Sequence, residues 1–300
     1  MLTPKPWRLE ALVRLLIGVI ICVFMGSVLA GVIEFKSETA GLRTAAYYGL
    51  SAGALLSGAI ALVLALRGGP VGLATSRFGW LLIAFFLSLN LAAFAQVASG
   101  TMPRADSISS IVVGTVSFQG ATLALIWWFV REHDVTLSDA FGLRARHLPR
   151  AVLLGLAVAG AAFALQLGYV HLLDLLRVEL PEQHLVEIMR LKRNMAERIY
   201  LGLFAIVIAP VAEEMLFRGI LYSAIKQLGF RWIALWGTAI LFALIHMNLS
   251  TFVPLMLLAV GLALLYEKTD TLFAPIVAHG CFNAINFAML HLVQSGTSAG

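Results

Sequence analysis

The chain has 300 residues, 60% of them hydrophobic and 12% charged, with a formal charge of +5. Soluble domains carry about 25% charged residues, so this composition excludes a soluble domain and predicts an integral membrane protein of helical type. The small, scattered positive charge excludes nucleic-acid binding and fits Lys and Arg placed beside membrane spans.

Residues 1–14 carry Lys5, Arg8 and Arg14, and an apolar run follows over 15–33. That run is longer than the core of a signal peptide, about 7–15 residues, and predicts an uncleaved first span. Further runs cover 46–66, 80–99 and 111–130. They are rich in Gly and Ala, as at Ser51-Ala52-Gly53-Ala54, which lets helix backbones approach closely in lipid. Asn90 and Gln96 are expected to hydrogen-bond between helices, and His133 and Asp134 to lie in a solvated loop. Cys22 and Cys281 form neither a disulfide framework nor a CxxC site, so both are expected to pack as small apolar groups.

The polar stretch 131–150 is the main break, and 138–146 reads as a short amphipathic segment on the membrane surface. It divides the chain into 1–145, membrane helices without a motif, and 146–300, which holds all the chemistry. A span over 151–176 is followed by a polar connector, 177–198, where Pro181 can open a second amphipathic helix. His171 and Asp174 are expected at the interface. Spans over 199–225, 232–247, 252–266 and 272–293 complete the chain; 252–266 is the weakest, being short and holding Pro254. The predicted fold is an all-α integral membrane protein, a polytopic bundle of about eight to nine transmembrane helices. Lys and Arg are more frequent in the loops on the N-terminal side, which predicts an inside N-terminus. Nothing in the sequence sets the oligomeric state.

The span over 199–225 carries Glu213, Glu214 and Arg218. Ionisable groups inside a span are costly and face a partner or a cavity. Glu214 and Arg218 are i,i+4 and share a face, with Glu in the favourable N-terminal position. Glu213 points about 100° away and needs another partner. His246 ends the next span, and His279 and Asn283 lie i,i+4 on the last. Convergence of these groups into one polar pocket is the simplest arrangement that avoids their cost in lipid. A Glu beside a His can activate a water, and a His with an Asn can donate to an oxyanion, which together hydrolyse an amide. Glu213, His246 and His279 are also plausible zinc ligands in type and number, although no HExxH motif occurs.

Glu-Glu-x-x-x-Arg at 213–218, Phe-x-x-x-His at 242–246 and His-x-x-x-Asn at 279–283 resemble the three motifs of the CAAX protease and bacteriocin-processing family. That family comprises intramembrane endopeptidases, including the type II CAAX prenyl endopeptidases. The resemblance covers about 199–293 and leaves the first half untouched. It implies water activation by Glu213 and His246, an oxyanion hole of His279 and Asn283, and a structural or substrate-orienting role for Glu214 and Arg218. The substrate it implies is a membrane-associated peptide or a lipidated, CAAX-type protein, in a prokaryotic inner (plasma) membrane. The family is often labelled metalloprotease, yet a metal-free Glu/His mechanism is also proposed for it; no cofactor is favoured here, with zinc as the alternative. Two other readings keep the fold without this chemistry: a membrane scaffold or immunity-type protein, and a proton-coupled transporter relaying through Glu213 and His246.

Overall fold

A computed structural model describes residues 2–34, 42–75, 84, 107–143, 148–178 and 194–297. The described residues are mostly helical, and none of them forms a strand. The candidate span 80–99 lies outside them except for Ala84, and so does most of the connector 177–198. Among the described residues, seven helices are long and apolar enough to cross a membrane, and the protein is a polytopic all-α membrane protein.

The chain forms two compact units, Arg8–Phe129 and a second made of Met1–Trp7 with Val130–Gly300. The first contains α1 (Leu9–Glu34), α2 (Leu42–Thr75) and most of α3 (Ile108–Glu132). In α2, Ala54, Ser57, Ala61 and Ala65 are buried at helical spacing, a seam of small residues of the kind that brings helices close in lipid. Gly26 of α1 lies so near Ser117 of α3 that an added Cβ would come within 2.2 Å of it. Glu34 at the end of α1 accepts from the Ser107 amide at 3.2 Å and the Ser110 hydroxyl at 2.6 Å, which satisfies polar groups at the start of α3.

The second unit contains α4 (Leu137–Phe141), α5 (Leu148–Leu175), α6 (Met195–Gln227), α7 (Ile233–Leu244), α8 (Leu249–Thr269) and α9 (Phe273–Thr297). α5 and α9 pack through small residues. Ala151, Gly155 and Ala159 are buried, and a Cβ on Gly155 would stand 2.8 Å from the Ala274 carbonyl. The Gln166 amide donates to Asn286 across the same pair at 2.7 Å.

The described part of the 138–146 segment forms α4, capped by Thr136 and closed by Gly142 at φ 66°, with Leu137 and Asp139 exposed and Ala140 and Phe141 buried. The Phe141 ring fills the groove over Gly219, where a Cβ would come within 2.5 Å of it. One expectation is corrected here. The span with Pro254 is not the short one: α8 runs over Leu249–Thr269 with Pro254 inside. Asn248 caps it, and the missing proline N–H releases only the Ser250 carbonyl near the helix start. The short element is α7, which at 1.5 Å per residue is about 18 Å long, against a hydrocarbon core of about 30 Å.

Residues 2–7 lie across one end of this unit. The Thr3 amide donates to Asp270 Oδ1 at 3.1 Å and the Lys5 amide to Gln227 Oε1 at 2.7 Å. The Trp7 indole N–H reaches the Gly219 carbonyl at 3.1 Å and the Ser223 hydroxyl at 3.2 Å. Burial holds the Lys5 ammonium below the usual lysine range, opposed by Asp270. His133 is not simply solvated, since its ring meets Trp7 edge-on at 5.3 Å. Cys22 and Cys281 are free thiols, each partly buried.

Phe141→Ala opens a cavity between Trp7, Gly219 and Leu272. It is expected to cost about 3–5 kcal/mol, with Phe141→Leu costing less. Thermal unfolding of the purified variants in detergent measures this; equal melting of all three proteins would contradict the packing.

Candidate active site

The site is built on an irregular helix. Pro210 stands inside α6 and offers no N–H to the carbonyl of Ile206, four residues earlier. Around it the backbone takes π-type turns over Phe204–Ile208 and Met215–Tyr222, a departure found often at functional sites. α9 comes closest here. A Cβ on Gly280 would stand 2.6 Å from the Ile206 carbonyl, and the Asn283 amide donates to the Ala205 carbonyl at 2.8 Å.

One turn on, α6 buries Glu213, Glu214 and Arg218, of which Glu214 is wholly inaccessible. Arg218 Nη1 donates to Glu214 Oε1 at 2.8 Å, the pairing that the i,i+4 spacing predicts. Its Nη2 donates to the Ala259 carbonyl of α8 at 3.1 Å. The same Glu214 oxygen is 2.9 Å from His279 Nδ1 on α9, while Oε2 has no hydrogen-bond partner among the described residues. His279 Nε2 faces Glu213 Oε2 at 3.9 Å, near enough for Coulombic attraction and too far for a hydrogen bond.

The fully buried ring of Phe242 fills the centre of this cluster. The Arg218 guanidinium carbon lies 4.7 Å from the ring centroid, a cation–π arrangement. The His279 ring lies 5.6 Å away, Phe217 5.3 Å and His246 4.9 Å. His246, only partly buried, has Nδ1 2.7 Å from the Phe242 carbonyl. The structure thus brings Glu213, Glu214, Arg218 and His279 into one buried cluster. His246 meets it through Phe242, and Asn283 is held on the α6 backbone one turn of α9 beyond His279.

Both His rings use Nδ1 for a carboxylate or carbonyl, the pattern of a histidine whose Nε2 is ready for a metal. Among the described residues, however, no three His, Cys, Asp or Glu side chains converge as a metal-binding group. Glu213, His246 and His279 do not fit zinc as arranged.

Phe242 was visible in the sequence as the partner of His246 in Phe-x-x-x-His, and Pro210 as a proline inside a span. The Ala259 and Ala205 carbonyls had no signal, because any residue supplies one. Arg218→Ala strands a buried Glu214 carboxylate and is expected to cost about 3–5 kcal/mol. The check is thermal unfolding; Arg218→Ala with unchanged melting would remove the ion pair as a structural element.

Residues 195–285, which contain every group just described, match the sequence model of the family Type II CAAX prenyl endopeptidase Rce1-like. The chain is 33% identical over 98 residues to the Bacillus subtilis (strain 168) protein named Uncharacterized protein YpbD, covering 31% of this chain and 46% of that one. It therefore spans about half the length of this relative. No solved structure matches the chain. Residues 195–285 are an Rce1-like segment of the CAAX protease and bacteriocin-processing family.

Proposed function

We propose that the protein is an intramembrane endopeptidase that hydrolyses a peptide bond in a membrane-associated or prenylated, CAAX-type substrate. The observation that supports this most is the 3.9 Å approach of His279 Nε2 to Glu213 Oε2 inside a buried cluster. With Glu214 and Arg218 ionised, the four groups are neutral overall when Glu213 and His279 share one proton between them. Burial favours such neutrality, because an uncompensated charge there is expensive.

In the reactive form, Glu213 is a carboxylate, and His279 holds Nδ1–H on Glu214 and keeps Nε2–H on the side that faces Glu213. Glu213, aided by His246, takes a proton from water as the water oxygen bonds to the carbonyl carbon. The carbonyl electrons move to oxygen, and His279 Nε2–H with the second Asn283 N–H donates to that oxyanion. Asn283 has this donor to spare, because only one of its two N–H groups is needed at Ala205. Collapse breaks the C–N bond, and the Glu213 proton passes to the leaving nitrogen. Water is divided between a carboxylic acid, which keeps its second proton, and an amine, which takes the first, and Glu213 is again ionised. In this role Glu214 and Arg218 position His279.

The test is cleavage of a membrane-anchored peptide by the purified protein, with and without prenylation. Wild type is expected to cleave, and Glu213→Gln to lose nearly all activity. Asn283→Ala should lower kcat on the order of 10²–10³ by removing one oxyanion donor. Chelator treatment should leave activity unchanged. No cleavage of either substrate by folded wild type would favour the scaffold reading, and activity that tracks stoichiometric zinc would recast Glu213, His246 and His279 as ligands.

A further inference from the structure

At the end of α6, beyond the catalytic groups, lies a cavity of about 430 Å³. Its walls include Thr3 from the N-terminal segment, Lys226 and Gln227 from α6, Arg231 from the turn into α7, and Glu267 from α8. The charges in it are not equivalent. Glu267 is bonded by both the Tyr222 hydroxyl and Lys226 Nζ, so Lys226 and Glu267 neutralise one another. Arg231 is exposed and forms no ion pair within 4.0 Å among the described residues, its charge reaching Glu267 only from further off. The cavity therefore offers one surplus cation with a fork of donors, the geometry suited to a phosphate.

The surroundings of Arg231 are apolar. Phe230 is 55% exposed, Trp232 68% and Ile233 59%, and the Arg231 guanidinium lies 5.9 Å from the Trp232 ring centroid. From there Ile233, Trp236, Ile240 and Leu244 are all exposed and recur at helical spacing along α7, a stripe that starts at the cavity. A free phosphate has no use for that stripe, whereas an acyl chain does. An aromatic and basic cluster of this kind marks the membrane–water boundary, and on the topology predicted from the sequence the loops at this end belong to the Lys- and Arg-rich side, which would face the anionic leaflet.

We propose that this cavity binds the headgroup of an anionic phospholipid, with its phosphate on Arg231 and an acyl chain along the exposed face of α7. A choline or ethanolamine group finds no equivalent partner, because Glu267 is already engaged by two donors. The site is independent of the peptidase reading, since it uses none of Glu213, His246, His279 or Asn283.

The experiment is native mass spectrometry of the full-length protein released from vesicles of equal parts phosphatidylglycerol and phosphatidylcholine. Wild type is expected to retain phosphatidylglycerol in preference, and Arg231→Ala to reduce that preference about fivefold, the worth of roughly 1 kcal/mol for one basic residue at the surface. Arg231→Lys should restore part of it. Arg177→Ala, at an exposed turn after α5, should leave it unchanged. Equal retention by wild type and Arg231→Ala would overturn the site, as would an equal loss in Arg177→Ala. Displacement of the lipid by inorganic phosphate alone would show a free-anion site instead. Because Arg231 is exposed, its variants are expected to melt like wild type, so that lost retention is not lost folding.

Discussion

One oxygen atom holds the buried polar cluster together. Glu214 Oε1 receives Arg218 from its own helix at 2.8 Å and His279 from α9 at 2.9 Å. A wholly buried carboxylate is tolerable only with such partners, so α6 and α9 are constrained to a narrow range of relative positions. The constraint spreads outward. Arg218, turned toward Glu214, presents its other nitrogen to the Ala259 carbonyl of α8 and its face to Phe242 of α7. Four helices are thus registered by two side chains, Glu214 and Arg218. The close approach they need is provided separately, by Gly280 against the α6 backbone and by the π-type turns around Pro210.

This arrangement divides the two adjacent glutamates. Glu214 is saturated on one oxygen by fixed cationic or polar donors, and its place is structural. Glu213 lies beside it on the helix, facing His279 Nε2, and on the proposed reading it is the group that gives and takes a proton. On the same reading His279 links the two roles: its Nδ1 belongs to the scaffold and its Nε2 to the chemistry. Removing Glu214 would therefore impair catalysis as well, through the orientation of His279, without Glu214 touching substrate. That coupling is why loss of activity alone cannot separate the two glutamates.

Much of this was legible in the residues. Repeated apolar runs and sparse charge gave the helical membrane class, because lipid leaves few alternatives. The i,i+4 spacing of Glu214 and Arg218 predicted their pairing, since helix geometry alone brings them together. The cost of polar groups in lipid predicted that His279 would find the glutamates. It could not say that His279 would bond Glu214 in preference to Glu213, because that depends on the rotation of α9 about its axis. Nor could it fix α7 and α8: an apolar run does not reveal where the helix within it stops, and Pro254 counted against a helix that in fact tolerates it near its start. Phe141 and Trp7 escaped notice because a lone aromatic in a polar stretch has no periodicity to mark its partner. Only Gly219, with no side chain, makes room for Phe141.

The central claim is that Glu214 is the structural carboxylate and Glu213 the reactive one. The most direct measurement is thermal unfolding of Glu214→Gln beside Glu213→Gln, each assayed for peptide cleavage. Both should lose cleavage, but only Glu214→Gln should unfold at a clearly lower temperature, because only it breaks the link between Arg218 and His279. A Glu214→Gln protein that melts like wild type, with Glu213→Gln the destabilised one, would contradict the account.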